Sequence, residues 1–308
     1  MIVPMARLKI LLAPSSFSES DPEPLQKLLE QGYEVIRNPV GRKLTKDELL
    51  NLLPSVHGMI AGLETIDREV LQKSSLKVIS RCGSGLSNID MSAANELGVR
   101  IYSVPDGPVE AVAELTLGAL LSLLRHLVLM NANLHAGHWT KMTGFQLKGK
   151  TVLIIGFGRI GRRVAELLKP FEVRILVVDP NQSSVGNAAQ LISLEQGLKE
   201  ADVVTLHASG EEEILGEDAF QHVKSGAFLL NVARGKLINE QCLLDALESK
   251  KIAGAWLDCF AEEPYCGPLT KFPQVILTPH IGSYTRESRK KMELDSARNL
   301  ITGLTNCV

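Results

Sequence analysis

Polar residues that could do acid–base chemistry stand just after predicted strands in the second half of the chain. Arg234 follows the strand-like run F-L-L-N-V-A, Glu263 follows A-G-A-W-L-D, and His280 follows Q-V-I-L-T-P. A guanidinium binds a carboxylate through two hydrogen bonds, an imidazole exchanges protons near neutral pH, and a carboxylate beside it stabilises the imidazolium. Because the carboxyl ends of parallel strands share one edge of a sheet, the three residues are predicted to act together on a 2-hydroxy acid.

Each of these assignments has a simpler alternative when the residue is taken singly. Arg234 could be a surface arginine, and His280, next to a proline, could cap the end of a strand. Glu262 is an equally charged neighbour of Glu263, which is preferred because it directly precedes Pro264. Their joint occurrence after strands of one predicted sheet favours the catalytic interpretation.

A glycine-rich turn lies between a strand and a helix near the middle of the chain. The strand V-L-I-I runs into G-F-G-R-I-G, and the helical pattern R-R-V-A-E-L-L follows at once. Gly156 would allow the tight turn, Gly158 the approach of a pyrophosphate, and Gly161 close packing of helix on strand. Asp179 ends the next strand, where an acid can bind ribose hydroxyls and repel a 2′-phosphate. The pattern predicts NAD rather than NADP, the alternative being a glycine-rich turn that binds nothing.

Short strand-like runs alternate with helical patterns in both halves of the chain, which predicts an α/β fold with parallel sheets. Five such runs precede residue 104, and six follow from V-L-I-I-G onward. Between them, Val109 to about His135 is predicted as one long helix that bridges two domains. The amphipathic segment near residues 285–302 is predicted to pack back on the first domain. We therefore expect a discontinuous domain of residues 1–103 plus 286–308 and a second domain of residues 104–285.

Composition and charge narrow the classes of function. The 308 residues are 45% hydrophobic and 22% charged, which is typical of a soluble globular protein. Lys and Arg number 33 against 35 Asp and Glu, without a long basic block, so neither nucleic acid nor a membrane is an expected partner. The five scattered cysteines favour reduced thiols in a cytoplasmic protein. His135 and His138 could face one metal ion, but no third ligand accompanies them, and no metal is predicted.

Several motifs occur in one order along nearly the whole chain. They are S-R-C-G-S-G-L-S-N-I-D, E-A-V-A-E-L-T-L-G, L-K-G-K-T-V-L-I-I-G-F-G-R-I-G, N-V-A-R-G-K-L-I-N-E, L-D-C-F-A-E-E-P and L-T-P-H-I-G-S. In these motifs the chain resembles the D-isomer-specific 2-hydroxyacid dehydrogenases, the family of phosphoglycerate dehydrogenase and of glycerate and hydroxypyruvate reductases. The resemblance implies two doubly wound parallel-sheet domains, a Rossmann NAD-binding domain and a flavodoxin-like substrate domain, with catalysis between them.

The resemblance also implies roles for residues of the matched motifs. Arg234 would hold the carboxylate and carbonyl of the substrate, His280 would be the general acid–base, and Glu263 its partner. A loop of the first domain would bind the substrate carboxylate, with the residues Arg81, Gly83, Ser84 and Gly85. Asp258 would face the nicotinamide amide. The expected cofactor contacts are Gly156, Gly158, Arg159, Ile160, Gly161, Asp179, His207, Ala233, Asp258 and Gly282.

Relatives in this family dimerise through the cofactor domain, so the resemblance also implies a homodimer. The apolar helix that begins near Val109 would supply the self-complementary surface. The chain ends soon after its closing helix, so the C-terminal regulatory domain of longer relatives, and serine feedback through such a domain, are not expected.

Two departures from the family pattern bear on the cofactor and the substrate. The loop after His207, A-S-G-E-E-E-I-L, is shorter and more acidic than is usual, which could change the affinity for NAD. Where some phosphoglycerate dehydrogenases carry a phosphate-binding arginine, this chain has Gly62 or Leu63, so a phosphate would have to be met by Arg81, Lys141 or a residue from elsewhere.

The substrate therefore stays open between several expectations. 3-Phosphoglycerate, in serine biosynthesis, is the first candidate because the stretch A-G-L-E-T-I-D resembles bacterial-type phosphoglycerate dehydrogenases. A reductase of glyoxylate, hydroxypyruvate or another small 2-keto acid is the second, and it needs no phosphate site. Formate oxidation is less expected, since it does not require the proton exchange to which a Glu–His pair is suited. From a different class, a non-catalytic NAD-sensing scaffold resembling co-repressors also fits the fold.

Overall fold

The computed structural model describes residues 7–186 and 189–306. The chain divides into two compact units, one of Met1–Pro108 with Ser283–Val308 and the other of Val109–Gly282. Within the described residues, no single helix has the length and apolar composition to cross a membrane, although one pair of consecutive helices, bent by 64° at their break, meets both criteria together.

The first unit is built on a five-stranded parallel sheet. Its strands are β1 (Lys9–Leu12), β2 (Glu34–Arg37), β3 (Gly58–Ala61), β4 (Val78–Arg81) and β5 (Arg100–Tyr102). Its helices are α1 (Glu23–Glu30), α2 (Lys46–Leu52), α3 (Arg68–Gln72), α4 (Met91–Glu96) and, from the end of the chain, α11 (Arg286–Thr305). A single 3₁₀ turn, Leu53–Ser55, follows α2.

The strand order of this sheet, β2-β1-β3-β4-β5, is the flavodoxin-like order, which reverses direction between β1 and β3. Successive side chains of a strand point to opposite faces of the sheet, and Ile10 and Leu11 of β1 belong to two different apolar clusters. Both faces of the sheet are therefore covered. Helix α11 packs on α1, β3, β4 and β5. The closing segment of the chain therefore covers one face of the first sheet.

Side-chain caps explain where several of these helices begin. Thr45 forms a capping box before α2, in which its own N–H donates to the Glu48 carboxylate at 2.8 Å. Asp67, Asp90 and Thr285 each accept a hydrogen bond from the backbone of the first turn of α3, α4 and α11. A cap of this kind contributes about 1 kcal/mol. The caps before α3 and α4 thus fix one end of the loops that follow β3 and β4.

The second unit is built on a seven-stranded parallel sheet of order β12-β11-β10-β9-β6-β7-β8, the Rossmann order extended by one strand. Its strands are β6 (Thr151–Ile155), β7 (Arg174–Val178), β8 (Gln190–Leu191), β9 (Val203–Leu206), β10 (Ala227–Asn231), β11 (Ile252–Leu257) and β12 (Val275–Leu277). Its helices are α5 (Val109–Leu124), α6 (Leu127–His135), α7 (Arg159–Leu168), α8 (Leu194–Glu200), α9 (Glu217–His222) and α10 (Glu240–Glu248). Its 3₁₀ turns are Lys169–Phe171, Gly235–Leu237 and Pro268–Lys271.

The α/β class with two doubly wound parallel sheets is confirmed, and two details of the second unit correct the prediction. A seventh strand, β8, has only two exposed residues and therefore carries no apolar run that the sequence could reveal. The prediction of one continuous long helix is wrong, because His126 adopts a left-handed backbone with φ of 52° and separates α5 from α6. It is also wrong as a bridge, since both helices lie within the second unit.

Candidate active site

His280 and Glu263 form a direct pair at the carboxyl end of the second sheet. His280 follows β12 and has a left-handed backbone, with φ of 54°. Its Nδ1 lies 3.0 Å from each carboxylate oxygen of Glu263, which also accepts the Phe260 N–H at 3.1 Å. The two side chains are 32% and 30% exposed, so solvent reaches both. A carboxylate on Nδ1 places the proton there and leaves Nε2 as the nitrogen that can meet a reacting group.

Asp258 lies beneath the His280 loop rather than at its surface, since only 1% of the residue is exposed. Its carboxylate accepts hydrogen bonds from the Thr278 hydroxyl at 2.6 Å, the Ile281 N–H at 2.9 Å and the Gly282 N–H at 2.7 Å. Burial raises the pKa of Asp258 despite these donors. The residue therefore holds the backbone that follows His280, and its expected contact with the nicotinamide stays a prediction.

Arg234 lies between β10 and a 3₁₀ turn, with one guanidinium nitrogen donating to the Ala233 carbonyl at 2.6 Å. The next residue, Gly235, packs directly on the backbone of Phe260 and Ala261, where a Cβ would overlap main-chain atoms. The arginine loop and the loop that carries Glu263 are therefore in contact. Since β10, β11 and β12 are adjacent strands, Arg234, Glu263 and His280 all follow neighbouring strands at one edge of the sheet.

The glycine turn has the shape that a pyrophosphate requires. Gly156 has φ of 92°, and a Cβ there would overlap the backbone of His207 and Ala208. A Cβ at Gly161 would overlap the carbonyl oxygen of Gly156, whereas one at Gly158 would meet nothing within 4 Å. Gly158 also precedes the first turn of α7, whose N–H groups have no partner within the helix. The turn thus combines close packing on one side with open backbone on the other.

Asp179 is tied to the same turn. One carboxylate oxygen accepts the Phe157 N–H at 2.7 Å, and the other accepts the Asn181 N–H at 2.8 Å. Of the neighbouring residues expected to contact the cofactor, Arg159 is exposed at the start of α7 and Ile160 is half-buried. The carboxylate is therefore positioned beside the open side of the glycine turn, at the end of β7.

His207 follows β9 and adjoins the glycine turn through its backbone, which donates to the Ile155 carbonyl at 2.7 Å. Its Nε2 lies 2.9 Å from the Thr205 hydroxyl, while its buried Nδ1 has no hydrogen-bond partner among the described residues. Burial lowers the pKa of His207 to about 3, so the ring is neutral at pH 7. A neutral ring next to the turn adds no positive charge to it.

The short acidic loop after His207 is held to the arginine loop by its own acids. Glu211 pairs with the Lys236 ammonium at 2.6 Å, and Glu213 accepts from the Asn239 amide at 3.1 Å. The acidity that departs from the family pattern is therefore at least partly compensated by Lys236. These contacts could not be read from the sequence, because the partners are 25 and 26 positions apart.

The loop after β4 in the first unit makes several hydrogen bonds within itself. Arg81 is only 8% exposed and turns inward, where it donates to the Cys82 carbonyl and lies beneath Gly83. The Gly83 N–H donates to the Arg81 carbonyl at 2.9 Å. The Gly83 N–H is thus engaged within its own loop, and the Arg81 guanidinium lies against that loop, while their roles toward a substrate stay predictions. The N–H groups of Ser84 and Gly85 make no hydrogen bond within the described chain.

Glu64 is a residue of this edge that the sequence did not single out. It follows β3, is 2% exposed, and accepts the Gly62 N–H at 2.7 Å. The Asn88 amide donates to the carbonyls of both Gly62 and Glu64, at 3.2 and 2.6 Å. Burial raises the pKa of Glu64. Its place directly after an apolar strand, in A-G-L-E, was the signal that could have identified it.

Comparison with known proteins identifies the family. Residues 117–282, more than half of the chain, match the model of the NAD-binding domain of D-isomer-specific 2-hydroxyacid dehydrogenases. The chain belongs to the D-isomer-specific 2-hydroxyacid dehydrogenase family. It is therefore an NAD-dependent oxidoreductase, as the resemblance implied.

Members of this family with similar sequences differ in name. The chain is 35% identical over 298 residues to a glyoxylate reductase of Pyrococcus furiosus, covering 91% of this chain and 89% of the relative. It is 37% identical over 276 residues to a D-3-phosphoglycerate dehydrogenase of Methanocaldococcus jannaschii, covering 86% of this chain but 52% of the relative.

Solved structures also superimpose closely on the chain. A Thermus thermophilus protein has a TM-score of 0.89 with 34% identity, and the match covers 97% of both chains. An NAD-dependent formate dehydrogenase of Staphylococcus aureus, solved with NAD, has a TM-score of 0.87 with 26% identity and covers 97% of this chain and 96% of that chain. The two-domain fold of the family is thus shared over nearly the full chain.

Proposed function

We propose that the protein reduces a small, non-phosphorylated 2-keto acid, such as glyoxylate or hydroxypyruvate, to the corresponding 2-hydroxy acid. The observation that carries the proposal is the His280–Glu263 pair, because it leaves Nε2 to exchange a proton with an oxygen at C2. Arg234, on the adjacent loop, is the cation for the substrate carboxylate. In the first unit, the N–H groups of Ser84 and Gly85 are likewise suited to a carboxylate.

The chemistry assigns one task to each residue of the pair. In reduction, His280 Nε2 gives a proton to the carbonyl oxygen as that oxygen gains negative charge, and in oxidation it takes the hydroxyl proton. Glu263 keeps the ring oriented through Nδ1 and stabilises the imidazolium. NADH, when bound, supplies the hydride that reaches C2. The proton and the hydride together account for the two hydrogens added to the keto acid.

The proposed NAD site consists of the glycine turn and the residues around it. The open backbone at Gly158 and the N-terminus of α7 are suited to the pyrophosphate, and the Asp179 carboxylate to the adenosine ribose. The other proposed contacts are Arg159, Ile160, His207, Ala233, Asp258 and Gly282.

Two observations support a substrate without phosphate. Arg81 turns inward onto the Cys82 carbonyl, and the Gly62 backbone is occupied by the carboxylate of Glu64. Several relatives, including a hydroxypyruvate reductase of Thermotoga maritima at 31% identity, carry names of reductases of small keto acids. 3-Phosphoglycerate is the second candidate, favoured by the 37% identity to a D-3-phosphoglycerate dehydrogenase.

The test is a panel of keto acids with the purified protein and NADH, followed by the absorbance of reduced nicotinamide. Glyoxylate or hydroxypyruvate should have a higher kcat/KM than phosphohydroxypyruvate. The opposite ranking would support the second candidate. If NADH binds but no acid is reduced, a non-catalytic NAD-sensing scaffold replaces both proposals.

We also propose that a second copy of the chain covers α6 and the segment after it. No residue of α6 is buried, although most of its residues are apolar. Leu127, Val128 and Leu134 are 51%, 51% and 56% exposed, and Trp139 is 80% exposed. Exposed apolar side chains clustered on one element are typical of an interface between subunits. This surface lies in the second unit, as expected for a dimer through the cofactor domain.

A further inference from the structure

Asn231, the last residue of β10, encloses the turn that leads to Arg234. Only 1% of the residue is exposed. Its amide nitrogen donates to the Arg234 carbonyl at 2.8 Å, and its amide oxygen accepts the Ala233 N–H at 3.0 Å. One side chain therefore satisfies both the Ala233 N–H and the Arg234 carbonyl. The backbone from which the guanidinium extends is fixed by these two bonds.

The main chain of Asn231 also reaches the loop beneath His280. Its carbonyl accepts the Asp258 N–H at 2.9 Å, and the Cys259 thiol lies 3.8 Å from the same carbonyl and 3.7 Å from the amide oxygen. Asp258 in turn holds the N–H groups of Ile281 and Gly282. A continuous series of hydrogen bonds thus joins the Arg234 backbone to the backbone beside His280 through one buried asparagine.

We propose that Asn231 is a positioning residue that sets the Arg234 guanidinium relative to the His280 imidazole. The inference rests on the proposed function, in which Arg234 orients the keto acid that His280 protonates. Only a side chain with both a donor and an acceptor satisfies the Ala233 N–H and the Arg234 carbonyl together. A carboxylate keeps the acceptor but faces the Arg234 carbonyl with a second oxygen, which repels it and displaces the loop.

The first test compares Asn231→Asp with wild type, using glyoxylate and hydroxypyruvate as probes. A displaced guanidinium should lower kcat/KM about 100-fold, mainly through KM, while the Kd for NADH changes less than about twofold. Cys259→Ala is the matched control, because it removes a buried side chain at the same place and leaves the amide intact. Equal losses in the two variants, or wild-type kcat/KM in Asn231→Asp, would overturn the proposal.

A pH profile separates positioning from general damage. When the carboxyl group introduced by Asn231→Asp is protonated, it regains a donor, so the ratio of variant to wild-type kcat/KM should rise as the pH falls from about 8 to about 5. The charged and titratable neighbours Arg234, Asp258 and Cys259 are present in both proteins and largely cancel in this ratio. A ratio that stays constant with pH would contradict the role assigned to the amide donor.

Amide hydrogen exchange tests the inference without turnover. Asn231→Ala removes the acceptor of the Ala233 N–H, so this amide should exchange about 10-fold faster or more, whereas Cys259→Ala should leave it slow. If wild type reduces no keto acid of the panel, the proposed function fails, and this measurement still decides the positioning role. Unchanged exchange at Ala233 would refute it. If Asn231→Ala does not fold, the pH ratio of Asn231→Asp decides.

Discussion

Both carboxylate oxygens of Glu263 lie 3.0 Å from Nδ1 of His280. The symmetric contact holds the ring in one orientation, and the Phe260 N–H holds one of the two oxygens in turn. Because the proton on Nδ1 points to the carboxylate, the chemistry of the imidazole is directed through Nε2. Substitutions of either residue should therefore lower the rate of proton transfer much more than they weaken the binding of NADH.

His280→Gln should lower kcat for keto-acid reduction by a factor of about 10²–10⁴, because the amide cannot donate the proton that the reaction consumes. The Kd for NADH should remain within about twofold of wild type, since the glycine turn is untouched. Steady-state kinetics and NADH fluorescence measure the two quantities. His222→Gln, at a half-exposed position of α9 in the same unit, is the control. Full activity in His280→Gln would show that another group is the acid.

Glu263→Gln should keep the geometry of the pair but remove its charge. Without the carboxylate charge, Nδ1 of His280 faces a neutral amide, so kcat for reduction should fall by about 10- to 100-fold. The comparison is with Glu262→Gln, which removes the same charge one position away. Similar losses in both variants would mean that the effect is general electrostatics rather than the contact with His280.

His207 should make stability depend on pH. Its pKa of about 3 in the folded chain is below its ordinary value of 6.5, so the unfolded chain takes up a proton that the folded chain does not. The neutral ring makes its full contribution to the free energy of unfolding above about pH 6.5. This contribution is lost as the pH falls toward 3, at about 1.4 kcal/mol per pH unit.

Urea unfolding at about pH 7 and pH 5 measures this dependence. Between these pH values the free energy of unfolding should fall less in His207→Gln than in wild type. The difference between the two decreases should be about 2 kcal/mol. His222→Gln, which alters a half-exposed imidazole on α9, should decline as wild type does. Parallel curves for wild type and His207→Gln would contradict the buried, neutral state of the ring.

Asp179→Asn should relax the choice of cofactor. The amide oxygen can still accept the Phe157 N–H of the glycine turn, although the bond from the Asn181 N–H is lost, and the charge that repels a 2′-phosphate is gone. The ratio of kcat/KM with NADH to that with NADPH should fall by about 10-fold or more, since a repulsion of about 1.4 kcal/mol is tenfold. Asn181→Ala is the control for the adjoining backbone. An unchanged ratio would remove Asp179 from the ribose site.

Val128→Glu combined with Leu134→Glu should convert a dimer to a monomer, because two charges would replace exposed apolar side chains of α6. Light scattering at micromolar concentration measures the mass. Leu97→Glu, at a residue that is 44% exposed in the first unit, should leave the assembly unchanged. A wild-type protein that is monomeric at these concentrations would already refute the proposed interface.

The fold class was predictable because each principal strand is a continuous apolar run followed by a helical pattern. The exceptions are local. β8 is too short and too exposed to carry a pattern, and the break at His126 depends on one backbone dihedral that helical periodicity does not report. The common location of Arg234, Glu263 and His280 was predictable because each follows a strand of one sheet, and the topology brings the ends of these strands to one edge.

The remainder of the site depends on directions that a sequence does not specify. Whether Arg81 points outward or onto the Cys82 carbonyl is decided by rotamers and by the space that a glycine leaves at position 83. Asn231 and Glu64 were missed because they are buried, and a buried polar residue in an apolar run gives no indication of which backbone groups it satisfies.

The contact of Gly235 with the Phe260–Ala261 backbone limits how this enzyme can change. The separation of the two loops is set by a hydrogen atom, so any substitution at position 235 forces them apart. The loop that carries Arg234 and the loop that carries Glu263 must therefore be altered together. A redesign of the substrate range that changes the backbone of one loop alone would break this contact.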